Sequence, residues 1–454
     1  MVLKLERALG VALLGLLLVP ARALWAISMP TPGQRLALGD AIQLSLENHP
    51  RRMAARSEAG AEEQRVAEAQ AAMLPQVYGI AQYLGATQNG IDGTNYLNPG
   101  FIPRHSGAGG EPQAWSLKNN YLGGVAVSQY LLDFGRVRGQ IAEQTDNADA
   151  AQAQLKLTDL DLVFETSQRY FAMLAATELV KVYGEAITER KEQLHESQVK
   201  AQAGLTSQID VYTAQAELAR ARVQLLDARN NVAKAKAALD NAMGLGIAAP
   251  DYRLASNLNY SDVSGSIKDY FTTALRLRPD LRALEDEARA AGARITEYRS
   301  DFLPTVSAIA GYSAIGSGLP AINNYDVGVT ITWPIFNGML TTHQVEEARL
   351  RREAIEHSIT DLRQHILLEV KTAFLDWQTA LQRIHQAEVT LNAARVELEL
   401  AQKRYTAGLG NIIELTDAER FFIQDKAAYV DALYTFAVAK AGLQRATGES
   451  LEGR

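Results

Sequence analysis

Between residues 209 and 243 apolar side chains return with a strict period of seven. Val211, Leu218, Leu225, Val232 and Leu239 form one line, and Ala214, Ala221, Ala228, Ala235 and Ala242 form the line beside it. Such a period predicts a helix, from about Ile209 to Met243, whose large-and-small seam packs on another helix in a left-handed coiled coil. The seam recurs near the C-terminus as Leu415, Phe422, Tyr429, Phe436 and Leu443 beside Ala418, Asp425, Ala432, Ala439 and Ala446. Upstream, Arg138 to Ala203 contains no proline and spaces Leu157, Leu160, Phe164, Phe171 and Leu174 by threes and fours. That stretch predicts one helix of about 100 Å at ~1.5 Å per residue. Asp40 to Met73 is rich in Ala, Glu, Gln and Arg and predicts a single helix, with Pro50 near its start, ending at Leu74-Pro75. Elsewhere the period is two. Tyr325, Val327, Val329, Ile331, Trp333 and Ile335 are apolar while Asp326, Gly328, Thr330 and Thr332 between them are polar or small, the mark of a strand with one apolar and one wet face. Val77 to Gly85 and Tyr121 to Phe134 are β-like as well, and flank a loop, roughly 86–120, full of Gly, Asn and Pro.

The plan is stated twice. Leu46, Arg65, Leu74-Pro75 and Val77 return as Leu275, Arg294, Leu303-Pro304 and Val306, and Ala203-Gly204-Leu205 and Gly244 return as Ala407-Gly408-Leu409 and Gly448. The first offset is longer than the second because the first copy carries the longer hairpin loop. Two repeats follow, over 24–244 and 269–448, with a linker over 245–268 and a tail over 449–454. Within a repeat the two shorter helices, stacked end to end, match the long one, giving a rod with a β-hairpin at one end and the turn at Gly204 at the other. Four strands cannot close a membrane barrel, which needs about eight or more, so a conduit requires several copies; three give twelve strands.

Composition changes the picture at the N-terminus. Lys4 and Arg7 precede an apolar run from Ala8 to Pro20, and Ala21-Arg22-Ala23 is a small-x-small cleavage site, so residues 1–23 read as a secretory signal peptide. The chain holds 45 Lys+Arg against 52 Asp+Glu, and loss of the leader leaves it more acidic still, which argues against nucleic acid as a partner. There is no cysteine, hence no disulfide, thiolate metal site or lipidated N-terminal Cys. With no other apolar run near spanning length, an exported chain of this kind enters a membrane only as a closed β-barrel.

The duplicated plan, Asp40-Ala41-Ile42 through Asn48-His49-Pro50, Arg278-Pro279-Asp280-Leu281, Leu303-Pro304, Trp333-Pro334-Ile335-Phe336-Asn337-Gly338 and Tyr405-Thr406-Ala407-Gly408 together resemble the TolC family of outer membrane efflux proteins. The resemblance covers essentially the whole mature chain. It implies a mainly α fold with a small β part: a homotrimer with a long helical coiled-coil barrel in the periplasm and a 12-stranded transmembrane β-barrel in outer membrane lipid. It also implies a passive exit duct of a tripartite efflux pump or type I secretion system in a Gram-negative cell. The partners it implies are a periplasmic adaptor and, through it, an inner-membrane transporter of RND, ABC or MFS type. Ala203, Gly204, Leu205 and Thr206, with Ala407, Gly408, Leu409 and Gly410, correspond to the adaptor-docking tips; Gly204 and Gly408 also suit left-handed helix caps. Ser207 to Asp210 and Asn411 to Glu414 have capping-box spacing. Asp417, a turn deeper, suggests with Glu414 an acidic ring at the tunnel mouth that favours cations. Tyr405 matches the family's latch tyrosine, with Asp210 as its expected partner; Gly410 stands where the best-known closed member has an arginine.

Other constellations are weak. Tyr83, Tyr130, Tyr312 and Trp333 near strand ends suit interfacial aromatic belts. The seven histidines are scattered, and His343, His357, His365 and His385 read as solvated helix faces; neither a metal site nor a cofactor is indicated. Gly107-Ala108-Gly109-Gly110 lacks a following Lys-Ser/Thr and reads as loop. No catalytic constellation is present. The rival reading, a periplasmic coiled-coil scaffold or adhesin stalk, accounts for the heptads and the leader but not for alternating strands at matched places in both copies.

Overall fold

The structure, a computed structural model, describes residues 29–87, 117–246, 249–255, 258–260, 265–316 and 322–449. The leader, most of the 86–120 loop with Gly107-Ala108-Gly109-Gly110, and the end of the tail lie outside the described residues. In chain order the elements are β1 (Arg35–Leu36), α1 (Leu38–Asn48), α2 (Pro50–Ala71), β2 (Gln76–Thr87), β3 (Leu117–Leu132), α3 (Arg136–Gln202), α4 (Gln208–Ala242), β4 (Arg253–Leu254), α5 (Ile267–Leu277), α6 (Pro279–Ser300), β5 (Thr305–Gly316), β6 (Ile322–Thr332), α7 (Leu340–Thr406) and α8 (Ile412–Thr447).

The predicted helix over 40–73 is two helices. Proline drives the residue before it out of the helical region, and His49 accordingly sits at φ −70°, ψ 126°, ending α1 and capping α2. Its Nδ1 accepts the Arg51 N–H at 3.2 Å, while Pro50 opens α2, where its missing N–H costs nothing. The second copy repeats the break with Arg278 (φ −64°, ψ 123°) before Pro279. The stacked rods are therefore shorter than the spacing suggested: α2 and α4 supply 22 and 35 residues against 67 in α3. The gap is filled by α1 and by a link the sequence did not disclose, β1 pairing parallel with β4. There the Tyr170 hydroxyl donates to the Leu36 carbonyl at 3.0 Å, and Leu36, Tyr170, Leu239 and Met243 form a buried core.

The long helices α3 and α7 bind everything else. α2 runs antiparallel to the first half of α3, with Arg52 to Asp159 at 2.7 Å and Gln152 to Glu63 at 2.7 Å, and α6 lies on the other side of α3, with Arg289 to Asp146 at 3.1 Å. Nearest the sheet the helix order is thus α2–α3–α6–α7, and toward the tips it is α4–α3–α8–α7. The heptad alanines and leucines sit inside the seams as expected: Ala214, Leu218, Ala221, Ala228 and Leu239 of α4, and Leu415, Ala418, Ala432, Phe436 and Leu443 of α8, are buried. Each fully buried leucine contributes about 1.5–3 kcal/mol.

The strands form one antiparallel sheet of order β2–β3–β5–β6, so the hairpins of the two copies join through β3 and β5. Cross-strand partners share a face, which sorts the residues. Val77, Val125, Val127, Tyr312, Tyr325, Val327, Val329 and Ile331 lie on one side, while Gln76, Ser128, Ser307, Asp326 and Thr330 lie on the other. Two tyrosine pairs, Tyr83–Tyr121 and Tyr312–Tyr325, mark one end of the apolar face, with ring centroids 5.3 Å and 5.0 Å apart. Trp333 marks the other, its indole N–H donating to the Phe302 carbonyl at 3.1 Å. Tyr130 departs from the expected belt: paired with Ser307, it falls on the polar face, just before a register shift between Tyr130 and Leu132. Among the described residues, β2 and β6 are edges without a strand partner, and no helix is long and apolar enough to cross a membrane.

Candidate functional site: the helical tips and the seam between the hairpins

Both tips are Schellman caps of one design. After α3, Gly204 at φ +73° lets its N–H reach the Ala201 carbonyl at 3.1 Å and the Leu205 N–H reach the Lys200 carbonyl at 2.9 Å. After α7, Gly408 at φ +73° repeats this with Tyr405 (3.1 Å) and Leu409 to Arg404 (2.8 Å). A Schellman cap ordinarily tucks the hydrophobic residue after its glycine against the preceding turn. Here Leu205 and Leu409 are 77% and 75% exposed, joined on the tip surface by Ile209, Tyr212 and Ile413. Capping explains the glycines and leaves the leucines unexplained.

The next helices are capped by single bonds, not by the expected boxes. Ser207 Oγ accepts the Ile209 N–H at 3.2 Å, and Asn411 Oδ1 accepts the Glu414 N–H at 2.8 Å. The acids face elsewhere: Asp210 accepts the Thr206 hydroxyl, and Glu414 pairs with Arg404 across the turn at 2.9 Å. Asp417 pairs with Arg420 at 2.9 Å, one helical turn away on the same side. Within the chain, then, Glu414 and Asp417, the residues expected to form an acidic ring, are each paired with an arginine. Tyr405 is buried, but within the chain it does not bond Asp210. Its hydroxyl lies 3.4 Å from Ser197 Oγ on α3, and Lys200 Nζ rests 4.1 Å over its ring while donating to its carbonyl at 3.3 Å. Tyr405 thus does bridge α7 to α3 of the other hairpin, through residues that the spacing of the tips did not suggest.

Above Tyr405 the seam between the hairpins holds an ion pair that the heptad pattern missed. Arg190 of α3 and Glu419 of α8 bond each other and are each 4% exposed; Arg190 also donates to Gln193 Oε1 at 3.2 Å. Lys426 of α8 pairs with Glu185 of α3 at the seam's exposed margin. Burial pushes the Glu419 carboxyl up to about 7, with Glu189 and Glu217 pushing the same way and Arg190 opposing them. Burial likewise raises Glu189. A signal was present in α3: Val182, Ala186, Arg190, Gln193 and Ser197 continue one buried line at spacings of three and four, so the line turns polar while staying inside.

The outer faces of α4 and α7, the edges of the lower layer, carry exposed apolar residues spaced by seven or fourteen. Ile209, Val223, Tyr212 and Leu226 on α4, and Leu368, Leu375, Val389 and Val396 on α7, are apolar and exposed. Together with the open edges of β2 and β6, they leave the chain unfinished on both sides from tip to sheet.

Known proteins share this design. The family model described as outer membrane efflux protein matches residues 41–245 and 271–449. The toluene efflux pump outer membrane protein TtgC of Pseudomonas putida is 23% identical over 341 residues, 73% of this chain and 70% of that protein. The alkaline protease secretion protein AprF of Pseudomonas aeruginosa is 24% identical over 419 residues, 90% of this chain and 84% of that protein. Among solved structures, that of CusC superposes with a TM-score of 0.75 over 95% of this chain and 97% of the other, at 18% identity. The protein of that name in Escherichia coli is a cation efflux system protein 23% identical over 360 residues, covering 76% of this chain and 78% of its own. With the family model matched in both halves and the fold shared from sheet to tips, the chain is an outer membrane protein and belongs to the outer membrane efflux protein family.

Proposed function

We propose that three copies of this chain close into a passive exit duct, conducting substrates delivered by a periplasmic adaptor and an inner-membrane transporter across the outer membrane. The two open sides support closure by copies of the same chain. The β6 edge of one copy meets the β2 edge of the next, making twelve strands, and the apolar α7 stripe meets the apolar α4 stripe, making a twelve-helix wall. An apolar sheet face with tyrosines at one end and tryptophan at the other suits lipid, which a soluble stalk has no use for. On this reading the inner-membrane partner powers transport.

The observation that carries adaptor docking is the exposure of Leu205 and Leu409 on caps that would ordinarily cover them. Replacing both with aspartate is expected to leave the trimer intact and to weaken adaptor binding by about tenfold or more per leucine, since apolar anchors at an interface centre are worth ~1.4 kcal/mol and upward. Crosslinking of the purified trimer to the adaptor checks this; unchanged crosslinking by the double variant would sink the docking reading. The same rods place Glu414–Arg404 and Asp417–Arg420 near the mouth. Asp417→Asn leaves Arg420 uncompensated, so cation preference should fall, measured as a shift in reversal potential across a salt gradient; a null shift removes Asp417 from the gate.

A further inference from the structure

The helical seam toward the tips joins α3 of the first hairpin to α8 of the second, and most of what it buries is apolar or small. Arg190 and Glu419 are the exception, a full ion pair taken out of water at the boundary between the two hairpins. A buried pair is a poor way to gain stability, because desolvation offsets most of the attraction, and a good way to make packing depend on one proton.

We infer that the Arg190–Glu419 contact is a proton-linked clasp between the two hairpins, binding a proton as they pack together and releasing it as they part. The neighbourhood is built for this. Facing Glu419 from α3 are Arg190, the cation it bonds, and Glu189, which repels it; from α4 comes Glu217, itself held by Arg220. From α7 the packing on this stretch of α8 is apolar, by Leu398 and Ala401. On α8 itself the neighbouring Arg420 is engaged by Asp417, and Lys426 by Glu185 of α3. One buried arginine therefore meets a carboxylate pressed by two others, and the proton relieves the imbalance while leaving the Arg190 donor a neutral oxygen to bond.

The direction follows from linkage. The carboxyl sits at about 7 with the hairpins packed and returns to its ordinary 4.5 once separation exposes it. The packed state thus holds the proton more tightly. Packing gains strength as pH falls through 7, the gain being complete below 4.5, and loses it as pH rises through 7. Between pH 8 and pH 6 the ratio of packed to parted hairpins should rise about tenfold per chain. The consequence, an entrance that tightens on acidification, rests on the duct proposed above; the packing equilibrium does not.

The test uses that independence. The chain has no cysteine, so spin labels on His195→Cys of α3 and Gln424→Cys of α8, both exposed, report the distance between hairpins in the detergent-solubilised trimer. The short-distance population is expected to grow as the buffer goes from pH 8 to pH 6. Glu419→Gln, permanently neutral, should hold the packed distance at both pH values. Glu189→Gln should keep the response with its midpoint moved to lower pH. A wild-type distance distribution that does not change between pH 8 and 6 overturns the clasp, and so does a Glu419→Gln chain that responds like wild type. If Glu419→Gln fails to assemble, the wild-type titration decides alone. A trimer that shows the shift yet conducts nothing in a bilayer defeats the duct and leaves the clasp standing.

Discussion

Lysine in place of Val329 is expected to abolish the heat-modifiable trimer, while lysine in place of its neighbour Thr330 leaves it intact. Val329 lies midway along the apolar face between Tyr325 and Trp333, a span of about 27 Å along the strand at ~3.4 Å per residue, or about 21 Å of height at the ~40° tilt of barrel strands, most of a barrel's ~25 Å apolar band. Its partner Ala308 and its neighbours Val327, 88% exposed, and Ile331 present the same face. A lysine at the bilayer midplane costs about 2–4 kcal/mol, and a trimer carries it three times, which approaches the whole stability of a typical folded protein. Thr330 pairs with Ser307 on the polar face, which in the proposed barrel lines the lumen, so a lysine there stays in water. Electrophoresis with and without boiling, together with outer membrane fractionation, separates the outcomes. A Val329→Lys trimer as heat-stable as wild type would mean that this face does not meet lipid.

What the sequence discloses, it discloses through periods. A period of seven names the buried leucines and alanines of α4 and α8, and a period of two separates Val327 from Asp326, because each is set by one element's own geometry. Features that depend on two distant segments stay hidden. The two-residue strands β1 and β4 are too short to have a pattern and exist only because α1 and the linker are brought together. The Arg190–Glu419 pair escapes the heptads because the seam runs along Leu415 and Phe422 and along Ala418 and Asp425, and Glu419 lies on neither line but beside the first. Tyr405 lies against Ser197 of the other hairpin, while Asp210, the partner its place in the motif suggests, accepts from Thr206. Even the break at His49 is written in Pro50; a proline so near a helix start is compatible with opening one helix, and here it divides two.

The repeated glycines Gly244 and Gly448 lead to the second large effect, because each joins the two halves of a rod. Gly244 follows α4 at φ +71°, and a Cβ there would lie 2.9 Å from the Asn48 carbonyl carbon and 3.0 Å from the His49 Cα, at the α1–α2 break. Gly448 follows α8 at φ +75° against Leu277 and Arg278, at the α5–α6 break, with 3.1 Å to the Arg278 nitrogen. The duplicated glycine and the duplicated X-Pro break are therefore one joint made twice, with backbone lying on backbone. Alanine at positive φ costs about 1–2 kcal/mol, and forcing a methyl into a filled site adds about 1–3 kcal/mol. Gly204 and Gly408 provide the comparison, since each has a positive φ with nothing within 4 Å of the point where a methyl would project, so alanine there bears the conformational cost alone. The expected order of damage is Gly244→Ala, then Gly448→Ala, then the tip alanines, read as the temperature at which each trimer dissociates in detergent. Gly244→Ala as benign as Gly204→Ala would show that the joint yields, and that the rods are not held end to end by this contact.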